Sequence, residues 1–100
     1  MDRRLELHDR LLQVCDHVYF QPPESIKLHY PCVVYELSDV FTDYANDHLY
    51  KARKRYSVTV MDRDPDSSIF MDIMHQFVHC EFDRSFQSDG LNHWVLTLFY

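Results

Sequence analysis

The spacing of apolar residues changes along the chain between a helical period and a strand period. From Arg3 to Cys15 they fall mainly three and four residues apart, with acids and bases between them, which predicts an amphipathic helix. From Arg55 apolar and polar residues alternate, so that one face of a strand carries Tyr56, Val58 and Val60. Helical spacing then returns in a second apolar stripe, made of Ile69, Phe70, Ile73, Met74 and Phe77.

The segments between these elements have strand and turn composition. A short strand is predicted over Val18–Phe20, another over Cys32–Leu37, and two more around the turn signal Ser88-Asp89-Gly90. We interpret Asp39–Ala52, which lacks clear periodicity, as a long loop or a projecting hairpin. The order predicts one α+β domain over residues 1–100, with two helices packed on one face of a mostly antiparallel sheet.

Three aspartates, Asp62, Asp64 and Asp66, stand at the start of the second predicted helix. Asp64 stands before Pro65, as an N-cap residue stands before proline at the first helical position, and Asp66 falls where the helix dipole favours negative charge. We therefore predict that Asp64 and Asp66 cap the helix. The alternative is a divalent-metal site of a small nuclease, because hard cations prefer oxygen ligands. We expect no metal, no other cofactor and no catalytic residue.

Composition and charge exclude several other function classes. The 100 residues contain a single glycine, Gly90, so no phosphate-binding glycine loop is present. A net charge of −6 has the wrong sign for holding duplex DNA. The three cysteines are odd in number, which indicates reduced thiols. No apolar run is long enough for a membrane span, and the charged start predicts a protein that is made in the cytosol.

Two patches favour contacts between copies of the chain. The basic run from Lys51 to Arg55 opens a predicted strand and Asp62 closes it, which separates Arg55 from Asp62 by roughly 23 Å. The last strand, Asn92–Tyr100, carries apolar side chains on both faces, although helices cover only one. The predicted subunit or tube contacts are therefore Lys51, Arg53, Lys54, Arg55, Asp62, Trp94 and Tyr100.

Four segments in this order resemble a family of tail-terminator or tail-completion proteins of phages with long, non-contractile tails. They are RRLELHDRL, VYFQPPESIKLHYPCVVYE, RYSVTVMDRDPDS and CEFDRSFQSDGLNHWVLTLFY, which together span nearly the whole chain. The resemblance implies an α+β subunit that forms a hexameric ring at the head-proximal end of the tail tube. Such a ring ends tube polymerisation and joins the tail to the head.

The resemblance also implies the partners and the location of the protein. We expect it in the virion, at the head–tail junction, after assembly in the host cytoplasm. Its partners would be further copies of itself, the tail-tube protein and a head-completion or connector protein, while DNA passes through the lumen without specific binding. No membrane is involved. The alternatives are a head-side stopper or connector subunit of the same neck, and a small metal-dependent phage nuclease that uses the acids from Asp62 to Asp66.

Overall fold

The computed structural model describes residues 3–45 and 48–100, with side chains described outside 41–53. The predicted α+β class is confirmed, because the elements form one five-stranded sheet covered by two helices. In chain order they are α1 (Arg3–Leu12), β1 (Val18–Phe20), β2 (Cys32–Ala45), β3 (His48–Asp62), α2 (Ile69–Gln76), β4 (Cys80–Ser88) and β5 (Leu91–Phe99).

The strand order in the sheet is β1-β2-β3-β5-β4, so the last strand of the chain lies inside the sheet and β4 lies at its edge. Among the described strands, β1 and β2 form the one parallel pair. The register places Tyr35 opposite Val58, and Val58 opposite Leu96. Because residues directly opposite one another point to the same side, this register gathers the largest apolar side chains on one face.

Both helices bury their apolar stripes on that face. Leu7 and Leu11 of α1 and Ile73 of α2 are fully buried. Burying one such side chain contributes about 1.5–3 kcal/mol to the free energy of unfolding. The sheet side of this core consists of Val33, Tyr35, Tyr56, Val58, Val60, Trp94, Leu96 and Leu98.

The helix α1 ends at Leu12, three residues before the predicted end at Cys15. The N–H of Val14 donates to the carbonyl of Leu11 at 3.0 Å, which is the tighter bonding of a closing turn. Cys15 nevertheless stays in the core. The apolar period therefore continues past the last helical residue.

The C-terminal hairpin has the predicted turn. Ser88 pairs with Leu91 across a two-residue turn, in which Asp89 and Gly90 have φ values of 54° and 75°. Positive φ at both positions gives the turn the twist that antiparallel strands require, and Gly90 adopts it without strain.

The strands β2 and β3 continue beyond the rest of the sheet as a projecting hairpin, which confirms one of the two interpretations of Asp39–Ala52. Pairing of β3 with β5 begins at Arg55, and pairing of β1 with β2 ends at Tyr35. We call the outer part, residues 39–45 and 48–54, the arm. Among the described residues its two strands pair only with each other, although the carbonyl of Lys54 at its base accepts from the N–H of Tyr100. The chain measures 52 Å along its longest axis.

A hydrogen-bond network ties α1 to the buried ring of Tyr35. The Tyr35 hydroxyl lies 2.7 Å from Nδ1 of His8, and Arg4 donates to the same hydroxyl at 3.4 Å. With Arg4 donating to it, the hydroxyl can give its own proton to a neutral His8 ring. Burial lowers the pKa of His8 below its ordinary value, and the positive charge of Arg4 lowers it further.

Removing a core leucine tests the packing of α1. Leu11→Ala should lower the free energy of unfolding by about 2–5 kcal/mol, since it leaves a cavity beneath the helix. The matched variant Leu12→Ala removes a side chain that is 40% exposed, and should change it by about 0.5 kcal/mol or less. Urea denaturation measures both, and equal losses would contradict the assigned helix face.

Stability should depend on pH through His8. As pH falls through about 6.5, the unfolded chain takes up this proton before the folded chain does, so the free energy of unfolding decreases. The contribution of the neutral ring is complete above that pH. Denaturation between pH 7.5 and 5.0 should show a shallower decrease for His8→Gln than for wild type. His75→Gln, on the exposed side of α2, is measured beside it as the control for removal of a histidine.

Candidate interaction surface

The acidic segment after β3 forms two successive turns held by aspartate side chains. Oδ1 of Asp62 accepts from the N–H of Asp64 at 3.0 Å, and Oδ1 of Asp64 accepts from the N–H of Asp66 at 2.9 Å. The N–H of Ser67 then donates to the carbonyl of Asp64 at 3.2 Å. Short-range bonds of this kind let aspartate close a turn within its own segment.

The prediction that Asp64 and Asp66 cap the second helix is wrong. The helix α2 begins at Ile69, four residues after Pro65, with Ser68 in the N-cap position and no side-chain cap bond. An N-cap and an Asx turn both use a side-chain oxygen that accepts from an N–H two or three residues later. The predicted local bond is therefore present, but the turn it closes precedes the helix.

The same hydrogen bonds occupy carboxylate oxygens that the alternative, a divalent-metal site, would need as ligands. Asp62 and Asp64 each use one carboxylate oxygen on a backbone N–H. Among the described residues, no three His, Cys, Asp or Glu side chains lie together as a metal site. The carboxylates of Asp62 and Asp64 thus have a structural role in shaping the turn.

Burial governs the chemistry of the cysteines. It raises the pKa of Cys32 and of Cys80 to about 11 in each case, and it also raises the pKa of Cys15. Thiols with such values remain protonated at neutral pH, whereas the thiolate is the reactive form.

The predicted basic patch is partly neutralised within its own hairpin. A guanidinium nitrogen of Arg55 lies 3.7 Å from the carboxylate of Asp39, and its Nε donates to the Ser38 hydroxyl at 3.1 Å. Lys54 is half-buried, and its carbonyl accepts from the N–H of Tyr100. The predicted contacts at Lys51 and Arg53 fall on side chains outside the described ones.

The last strand does not offer the uncovered apolar face predicted for it. Trp94 is 8% exposed and stacks on Phe70 at 5.4 Å between ring centroids, so its assignment as a subunit contact is wrong. On the opposite face, Val95 is 5% exposed, since β5 is an inner strand whose neighbours on β3 and β4 flank it. Tyr100 packs against the core with its ring edge-on to Phe77.

Two of the exposed large apolar side chains lie on the edge strand β4, where the sequence predicted no contact. Phe82 is 46% exposed and Phe86 is 44% exposed. The register places Phe82 opposite Leu96 and Phe86 opposite His93, with a bulge at Asp83 between them. The bulge turns the two rings to opposite faces of the sheet. We call this edge, with both phenylalanines, the β4 edge.

An apolar groove adjoins the β4 edge on the helical side. It has a volume of about 410 Å³ and runs between α2 and β4, with Met71, Met74 and Phe82 in its walls. The aromatic ring of Phe70 lies 6.1 Å from that of Phe82 between centroids. A partner that lay along β4 would therefore meet free backbone groups and an apolar surface together.

Neither a protein-family model nor a curated protein matches the chain. Within the residues that the structure describes, no helix is sufficiently long and apolar to cross a membrane.

The turn at Asp64 gives a direct test of its role. Asp64→Asn should be nearly neutral, because the amide oxygen also accepts from the Asp66 N–H, whereas Asp64→Ala should cost about 1 kcal/mol. Asp66→Ala is the matched control, as the exposed Asp66 contributes its N–H to this turn. Thermal denaturation measures all three. Large and equal losses in the Asn and Ala variants would instead indicate a role that requires the charge.

Proposed function

We propose that this protein is a structural virion subunit that forms a ring at the head-proximal end of a phage tail tube. The ring ends tube polymerisation and joins the tail to the head. Two observations support the proposal. They are the resemblance of four segments to tail-terminator proteins, and the exposed β4 edge. The β4 edge is the single structural observation on which it rests, because a subunit that acts by assembly needs an exposed adhesive surface.

The β4 edge has the properties of a strand-addition site. Its nine residues span roughly 30 Å, and every second residue directs its backbone N–H and C=O away from β5. Unpaired strand edges with exposed apolar residues promote pairing with another chain. The charges of Glu81, Asp83 and Arg84 and the bulge restrict that pairing. They leave the half from Arg84 to Ser88 as the more regular edge.

A ring also requires a second, different surface on each copy, since its interfaces are heterologous. The arm supplies one. It extends beyond both β1 and β5, so the outer edges of its two strands have no partner strand among the described residues. Acids on one strand face bases on the other by register, with Asp39 opposite Arg55 and Asp43 opposite Lys51. The arm is therefore held as a hairpin by its own pairing.

Charge fits passage of DNA through a lumen without tight binding. The net charge is −6, and within the predicted basic run Arg55 is paired with the carboxylate of Asp39. Binding of duplex DNA requires several free cations along one surface, because affinity arises from neutralised phosphates. The proposal accordingly gives the protein no DNA-binding and no enzymatic role.

Location in the particle tests the proposed function. Gold labelling of a tagged protein in phage particles, viewed by electron microscopy, should place it at the head–tail junction. Detached tails should carry the label at their head-proximal end. A label that stayed on heads after the tails were detached would favour a head-side stopper or connector, and absence from particles would contradict both.

The β4 edge should be required for assembly. Phe86→Asp places a charge on the edge, so it should reduce completion of tails from particles that lack this protein by tenfold or more. Ile26→Asp changes a similarly exposed residue away from β4 and should complete tails normally. Circular dichroism checks that both variants fold. Normal completion by Phe86→Asp would show that assembly uses another surface.

A further inference from the structure

A cavity of about 420 Å³ lies between α1, the residues that follow α2, and the end of β5. Two arginines of α1 stand over aromatic rings in its wall. The guanidinium carbon of Arg3 is 4.4 Å from the ring centroid of Tyr100, and that of Arg10 is 4.3 Å from the ring centroid of Phe77. The exposed ring of His79 lies in the same wall.

The positive charge of this cavity is not neutralised within the described chain. Arg10 donates one hydrogen bond, at 2.6 Å, to the carbonyl of Gln76. No described side-chain carboxylate forms an ion pair with Arg3 or with Arg10. The hydroxyl of Tyr100 is also buried without a hydrogen-bond partner among the described residues. The cavity thus holds two guanidiniums with free N–H groups, in a protein whose net charge is −6.

These groups suit an oxyanion, and a carboxylate is the one that a protein chain supplies. A guanidinium forms paired, charge-assisted hydrogen bonds to a carboxylate in its own plane. Stacking on an aromatic face leaves that plane open and fixes its orientation. A volume of about 420 Å³ admits a side chain and its adjoining backbone, and the apolar wall of Val78 and Phe99 suits a peptide.

The chain itself carries matching carboxylates at the other end of β3. The cavity adjoins the start of the paired part of β3, because the N–H of Tyr100 donates to the carbonyl of Lys54. The acidic turn from Asp62 to Asp66 begins at the last residue of β3, roughly 25 Å away along the strand. The two patches are therefore too far apart to pair within one copy.

We propose that the cavity between Arg3 and Arg10 binds the acidic turn, Asp62 to Asp66, of a second copy of this chain. This inference rests on the proposed ring, and names a contact between its neighbouring subunits. It moves the basic half of that contact from the predicted run, Lys51 to Arg55, to α1. The acidic half stays at Asp62, Asp64 and Asp66.

A peptide titration tests the site without tails. The probe is a synthetic peptide of residues 60–68, VMDRDPDSS, added to ¹⁵N-labelled protein and followed by NMR. Saturable shifts should appear at Arg3, Arg10 and the residues around Tyr100. Binding should weaken at least tenfold with a peptide that has Asn at all three aspartate positions, and should fall with salt.

Variants of the protein locate the site. Arg3→Gln and Arg10→Gln should each weaken peptide binding at least fivefold. The Arg3→Gln variant should keep its fold, because Arg3 has no described hydrogen bond. Arg84→Gln is the matched control, since Arg84 is an exposed arginine on β4 that faces Asp83 at 3.6 Å. It should bind the peptide as wild type does.

The outcomes separate this inference from the proposed function. Absence of saturable shifts, equal binding of the Asn peptide, or shifts confined to other surfaces would overturn the site. Peptide binding at the cavity would support it even if labelling placed the protein away from the head–tail junction. Conversely, a protein that is found at that junction but does not bind the peptide would support the proposed ring and overturn this contact.

Discussion

The fold depends on the cross-strand register of β2, β3 and β5. With Tyr35, Val58 and Leu96 directly opposite one another, the large apolar side chains of three strands share one face. A shift of one residue in any of these strands would turn its apolar set outward, so the register and the core specify each other. Both helices have to bury their stripes on that face, through residues such as Leu11 and Ile73. The edges and ends of the sheet, together with the face that carries no helix, remain for contacts with other molecules.

The features that the sequence predicted are those encoded by local spacing. Alternation from Tyr56 to Val60 sets the direction of each side chain on β3, and the stripe from Ile69 to Phe77 sets the buried face of α2. The Asp89-Gly90 turn likewise follows from backbone preferences of two residues. Each of these patterns lies within one helix, strand or turn. It therefore predicts the type of that element and its buried face independently of the elements that pack against it.

The sequence did not predict two kinds of feature. One depends on the order of strands in the sheet, and the other depends on a choice between two turn structures that use the same side-chain bond. Because β5 is placed between β3 and β4, Trp94 is buried and the exposed rings are those of Phe82 and Phe86. The position of β5 in the sheet cannot be inferred from its own composition. Asp64 before Pro65 specifies a side-chain bond to the next turn of backbone, and this bond serves a helix cap and an Asx turn alike.

The placement of charge follows from packing and gives the proposed contact its direction. The guanidiniums of Arg3 and Arg10 cover aromatic rings at one end of β3, while turn geometry concentrates the aspartates at the other. If copies join through these two ends, an open row leaves one cationic cavity and one acidic turn unpaired at its termini. A closed ring pairs all of them. The contact that joins two copies therefore also favours closure of the ring. A template that holds the copies in one plane would then determine the number of subunits.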